Sequence, residues 1–156
     1  MTERPEFYRC HNGEKVNLPF EAAEYDARLA ELRERMEASG ATVALFTSMH
    51  NIAYYSGFLY CAFGRPYGLV VTETECVTIS AGIDAGQPWR RSHGDSLTYT
   101  DWTRDNYWRA VRSVAGTGGV VGYEGDHLTL AGREAGDDIR RNPAVRTADP
   151  EIIRRL

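Results

Sequence analysis

Between Glu21 and Ser39 the apolar residues Tyr25, Leu29, Leu32 and Met36 recur at steps of four and three, and charged residues fill the other positions. That spacing places one apolar stripe on a helix surface and predicts an amphipathic helix over Glu21–Ser39. Gly40 follows, where a residue able to take a left-handed conformation ends a helix. Thr42–Phe46 is a short apolar run and is expected to be a strand. Ser48 can then cap a brief helix that ends near Gly57. Tyr67–Thr72 and Cys76–Ser80 are rich in β-branched residues and are separated by Glu73, Thr74 and Glu75, the pattern of a β-hairpin.

Beyond the hairpin, residues 81–95 form a polar connector with one helical turn expected around Ala85–Trp89. Ser96–Tyr99 predicts a strand. Thr103–Val114 predicts a second long helix with Tyr107, Val111 and Val114 on one side. Gly119–Tyr123, a helix over Thr129–Arg141 and a strand over Val145–Thr147 continue the alternation. Residues 1–18 carry no periodic pattern, and Asn12-Gly13 marks a turn. The order of strands and helices predicts an α/β fold: a three-layer domain with a mixed, partly parallel sheet flanked by helices.

The 156 residues suffice for one domain with a core of its own, without metals or disulfides. A net charge of -4 argues against a general nucleic-acid binder. No apolar run is long enough to cross a bilayer, and residues 1–20 lack the basic start and apolar centre of a signal peptide. Cys10, Cys61 and Cys76 are widely spaced, show no zinc-type spacing with His11, His50, His93 or His127, and are expected to be free thiols. A cytoplasmic location is expected.

Candidate chemistry is concentrated between His50 and Tyr67, above all in Phe63-Gly64-Arg65-Pro66. Pro66 fixes its own φ and pushes Arg65 towards extended backbone, while Gly64 permits a sharp turn. A loop of this kind holds the guanidinium fork in one direction, which suits a carboxylate gripped by two parallel hydrogen bonds. Phe63 can cover a methyl group or the face of a small cation. The alternative for Arg65 is a surface turn whose arginine pairs with a nearby Asp or Glu. Other features are plainer. Gly116-Thr117-Gly118-Gly119 lacks phosphate-loop spacing and is expected to be a turn. Asp101, Asp105 and His93 are expected to be solvated loop residues rather than a metal site. His50 is expected to buttress its helix, Cys61 to be a small buried hydrophobe, and Trp89, Trp102 and Trp108 to be packing anchors. Arg90 and Arg91 are adjacent and diverge, leaving either a partner-domain contact for one of them or ordinary ion pairing.

The Phe63–Pro66 loop, Ile83-Asp-Ala-Gly-Gln-Pro-Trp-Arg-Arg91 and Tyr99-Thr-Asp-Trp-Thr-Arg-Asp-Asn-Tyr-Trp108 together resemble the N-terminal domain of the creatinases. The Asn51-Ile52 and Tyr55-Ser56-Gly57-Phe58 run is similar to the wider creatinase, prolidase and aminopeptidase P family. The resemblance implies a ribonuclease H-like motif, no cofactor, and hydrolysis of creatine to sarcosine and urea in a homodimer. It also implies that the catalytic histidine and guanidinium-binding glutamates lie in a C-terminal pita-bread domain. Residues 1–149 would then be the N-terminal α/β domain, and residues 150–156, with Asp149 as helix cap, the start of the linker helix. Phe63 and Arg65 match the residues that bind creatine in the partner subunit's site, so no catalytic residue is expected in this chain. The same fold in a prolidase or aminopeptidase P-type metallopeptidase, or a free-standing interaction module, are the other readings.

Overall fold

Side-chain alternation along one four-residue strand decides the layering. In β2 (Val43–Phe46), Val43 and Leu45 join one core cluster while Ala44 and Phe46 join another. Successive residues of a strand point to opposite faces, so a strand buried at every position must be covered on both sides. A computed structural model describes residues 4–59, 64–103, 105–125 and 127, and shows that arrangement. On one face lie α1 (Ala22–Ser39) and α2 (Met49–Ser56), contributing Leu29, Leu32, Met36, Ile52 and Tyr55. On the other lies α4 (Asn106–Ala115), contributing Tyr107, Ala110, Val111 and Val114. Removing a core side chain from such a sheet, for example Leu69→Ala, costs about 2–5 kcal/mol.

Among the described residues the sheet has six strands. They are β1 (Phe7–Arg9), β2, β3 (Gly68–Thr72), β4 (Cys76–Ala81), β5 (Asp95–Tyr99) and β6 (Val121–Tyr123), in the order β1-β5-β4-β3-β2-β6. The β3–β4 hairpin is antiparallel, with Val70 opposite Val77. β4 pairs parallel with β5, and β2 parallel with β6, while β2–β3 and β1–β5 are antiparallel. The expected mixed, partly parallel sheet is therefore present. A turn over Gly82–Asp84 and the short α3 (Gln87–Arg91) occupy the connector between β4 and β5.

The N-terminal stretch departs from expectation. It was expected to be irregular, but Phe7–Arg9 adds an edge strand to β5, pairing Phe7 with Tyr99 and Arg9 with Leu97. Three residues are too few for a period to declare itself, and Tyr8 is exposed. Residues beyond β1 are then tied to α3. Trp89 Nε1 donates to the Gly13 carbonyl at 2.9 Å, and Arg90 Nη1 to that of Asn12 at 2.9 Å. Lys15, the sole lysine of the chain, lies 4.0 Å above the Trp89 ring and donates to the carbonyls of Trp89, Ser92 and Gly94. The helix and strand expected over residues 129–147, and the helix start at Asp149, lie outside the described residues.

Candidate functional site

The segment that leaves α2 is pinned at both ends, and its described residues between them are exposed. Ser48 opens α2 in extended backbone and accepts a hydrogen bond from the Asn51 N–H, and Gly57 closes it at φ 75°. A Cβ at Gly57 would stand 2.7 Å from the Tyr25 hydroxyl, so glycine is required there by conformation and by space. Phe58 and Tyr67, at either end of the following loop, are both buried and meet edge to face at 6.3 Å. Leu59, by contrast, is 69% exposed. At the far side of the loop Gly64, Arg65 and Pro66 are exposed, with Gly64 at φ 76°. Phe63 and Cys61 lie outside the described residues.

Two residues at the end of β5 take hold of this loop. The hydroxyl of buried Tyr99 donates to the Pro66 carbonyl at 2.7 Å. Asp101 Oδ2 accepts from Arg65 Nε at 2.5 Å, and both side chains are nearly half exposed. That hydrogen bond to the guanidinium holds the Asp101 carboxyl below its usual value. The turn bearing Asp101 is itself anchored. Fully buried Asn106 donates from Nδ2 to the Thr100 carbonyl at 2.8 Å, and the Thr100 N–H reaches the Glu6 carbonyl at 2.9 Å. Arg65 thus meets a carboxylate of the chain itself through Nε.

The other end of α2 carries a residue that the pattern of the sequence did not reveal. Glu124, one residue past β6, is buried beneath the first turn of α2. Its Oε2 accepts from the backbone N–H of Thr47 at 2.6 Å and of Ser48 at 2.7 Å. Its Oε1 accepts from the Ser48 hydroxyl and the Asn51 amide. Burial pushes this carboxyl up, but the hydrogen bonds from Ser48, Thr47 and Asn51 outweigh it and leave it below the ordinary range. The carboxylate satisfies the N–H of the N-cap Ser48 and of Thr47 before it, at the positive end of the helix dipole. Only Ser48, as a cap, was visible in advance.

Several expected candidates separate in space. His93 Nε2 pairs with Asp26 at 2.8 Å and its ring stacks on Tyr25, so it does not join Asp101 or Asp105. Among the described residues no group of three or more His, Cys, Asp or Glu is placed to hold a metal ion. His50 is exposed on the first turn of α2. Arg90 is engaged with the N-terminal segment, whereas Arg91 is exposed. Cys10 and Cys76 are free thiols, and burial pushes that of Cys76 up to about 12. Trp89 and Trp108 pack as expected, but Trp102 is 55% exposed and is no anchor within this domain. It sits in the turn after β5, where the sheet has ended and no helix face has begun.

A protein-family profile described as the Creatinase/Prolidase N-terminal domain matches residues 28–152. This chain belongs to that family. The creatinase of Bacillus sp. (strain B-0618) is 48% identical over 147 residues, covering 92% of this chain and 34% of that protein. The chain thus spans about a third of this relative. Similar solved structures include a proline dipeptidase from Streptococcus pneumoniae, with TM-score 0.69 and 17% identity over 82% of this chain and 95% of that one. Another is dipeptidase PepE from Mycobacterium ulcerans, with TM-score 0.68 and 17% identity over 88% of this chain and 37% of that one. At such identities the two dipeptidases show the shared fold of the creatinase/prolidase N-terminal domain and nothing finer. Among the described residues of this family member, no helix is long and apolar enough to cross a membrane.

Proposed function

We propose that this chain is the N-terminal domain of a creatinase-like hydrolase, which converts creatine and water to sarcosine and urea. Residues 1–149 form the domain, and residues 150–156 begin the linker helix to a C-terminal pita-bread catalytic domain. The domain contributes dimer contacts and presents Phe63 and Arg65 to the active site of the partner subunit in a cytoplasmic homodimer. Arg65 grips the creatine carboxylate, and Phe63 covers the methylated end of the zwitterion. The chain alone is not a catalyst, because the base and the guanidinium-binding carboxylates belong to the other domain. The observation that carries this reading is the exposed Arg65 on a loop whose two ends are buried, within a sequence 48% identical to a creatinase. A rigid base and an exposed tip are what an arginine needs to act on something outside its own domain.

The test is a chimera in which these 156 residues replace the matching N-terminal part of the Bacillus enzyme. It should release urea from creatine at a rate within about tenfold of the parent, a tolerance of about 1.4 kcal/mol in the barrier. Arg65→Ala in the chimera removes one partner of a charge pair that is desolvated on closure, a loss of about 2–5 kcal/mol. Arg65→Lys should rescue poorly, since a point charge lacks the fork. Mixed dimers of the Arg65→Ala subunit with one lacking its catalytic histidine should regain up to half the activity. The reading fails if confirmed mixed dimers stay inactive, or if the folded, dimeric chimera is dead towards creatine. A second reading keeps this fold, which the dipeptidases share, in a metallopeptidase of the prolidase type. Cleavage of an X-Pro dipeptide by the corresponding prolidase chimera, with none of creatine by the first, would favour it.

A further inference from the structure

The β5–α4 turn does more than close the fold, because it holds the candidate loop at two separate points. Tyr99 takes the backbone at the Pro66 carbonyl, and Asp101, two residues on, takes the side chain at Arg65 Nε. The first contact comes from a residue 3% exposed, and the second from a turn whose Thr100 carbonyl is gripped by Asn106 at 0% exposure. We propose that Asp101 is a positioning residue for substrate binding, fixing the plane and direction of the Arg65 guanidinium; this rests on the reading of Arg65 given above.

A long arginine side chain loses rotamer freedom when it binds, and an interaction that orders it beforehand removes part of that cost. A carboxylate on Nε fixes the guanidinium by the edge nearest its stem. The two terminal nitrogens form a separate edge of the fork, the one that an end-on carboxylate uses. The pair is too exposed to matter much for folding. Its placement at the only described arginine of the loop is therefore better explained by orientation than by stability. Asp101 touches neither substrate nor reacting atoms in this scheme. It acts through Arg65.

The experiment is steady-state kinetics on the creatine-hydrolysing chimera. Asp101→Ala should raise KM for creatine about fivefold, the worth of one exposed charge-assisted hydrogen bond, with kcat changed less than twofold. Asp101→Asn keeps an oxygen acceptor for Nε and should bring KM back to within about twofold of the starting value. In an Arg65→Ala background Asp101→Ala should have no further effect, which a merely structural residue would not obey. An unchanged KM for Asp101→Ala, or an equal loss with and without Arg65, overturns the proposal. If Asp101→Ala does not fold, Asp101→Ser is measured instead and read by the same two criteria. The outcomes separate the two claims. Failure of Arg65→Ala to impair the enzyme sinks the reading of Arg65 and this inference with it. An Arg65 effect without an Asp101 effect sinks the inference alone.

Discussion

Glu124 and Asp101 are both carboxylates that reach from the end of a strand to the segment around α2, and both are held below their ordinary protonation range. Their surroundings differ in the respect that decides their use. Glu124 is 6% exposed and meets two backbone N–H groups, a hydroxyl and an amide. The Ser48 groups among them are buried, and those of Thr47 and Asn51 are half-buried. Asp101 meets one guanidinium in the open. A buried, fully partnered carboxylate is costly to lose because its partners have no water to turn to, whereas an exposed ion pair can be replaced by solvent. The start of α2 is thus fastened by a buried carboxylate, while the loop after its end is held by an exposed one.

The strongest way to break this contrast is Glu124→Ala, which leaves the Thr47, Ser48 and Asn51 donors unpaired under the helix. It should lower unfolding stability by about 3 kcal/mol, read from urea denaturation at pH 7. A loss as small as that of an exposed substitution would show that water reaches the site.

The pH dependence sharpens it. The folded carboxyl of Glu124 lies below its ordinary value of 4.5, so its contribution is complete above that value. It is lost as pH falls through the lowered folded value. Glu124→Gln should therefore flatten the fall in stability below pH 4.5, measured as denaturation midpoint against pH. Parallel acid profiles for the two proteins would contradict the assignment.

Tyr107 gives the opposite kind of buried polar group. Its hydroxyl is buried with no hydrogen-bond partner among the described residues, and burial pushes its phenol up. Tyr107→Phe removes an unsatisfied group and keeps the ring packed on Tyr99 and Trp108. It should raise stability by about 1 kcal/mol, seen as a higher melting temperature; a clear loss would reveal a hidden partner.

The smallest effect is expected at the exposed end of the comparison. Asp101→Ala should change unfolding stability by no more than about 0.5 kcal/mol. A larger loss would make Asp101 a structural residue and remove the contrast with Glu124.

Much of this arrangement is legible in the sequence. The helix stripe Tyr25, Leu29, Leu32 and Met36 is buried as its spacing predicts, and Gly40 and Gly57 end their helices in left-handed backbone. The hairpin and the α4 face at Tyr107, Val111 and Val114 also agree. These features depend on residues a few positions apart, where helix and strand periods act directly. Arg65 was legible as a candidate for the same reason, since glycine and proline beside it restrict its backbone locally.

What the tertiary structure decided is every pairing across long stretches of chain. The sequence contains no local sign that Glu124 caps a helix beginning 75 residues earlier, or that Asp101 would be the carboxylate met by Arg65, 36 positions away. The edge strand Phe7–Arg9 exists only because β5 offers it a ladder. Exposed Trp102 looked like an anchor because tryptophan favours burial, but which side of a turn faces solvent depends on how the sheet ends. Short-range steric and hydrophobic preferences determined the elements. Long-range hydrogen bonds and ion pairs, set only when those elements pack, determined which charges meet.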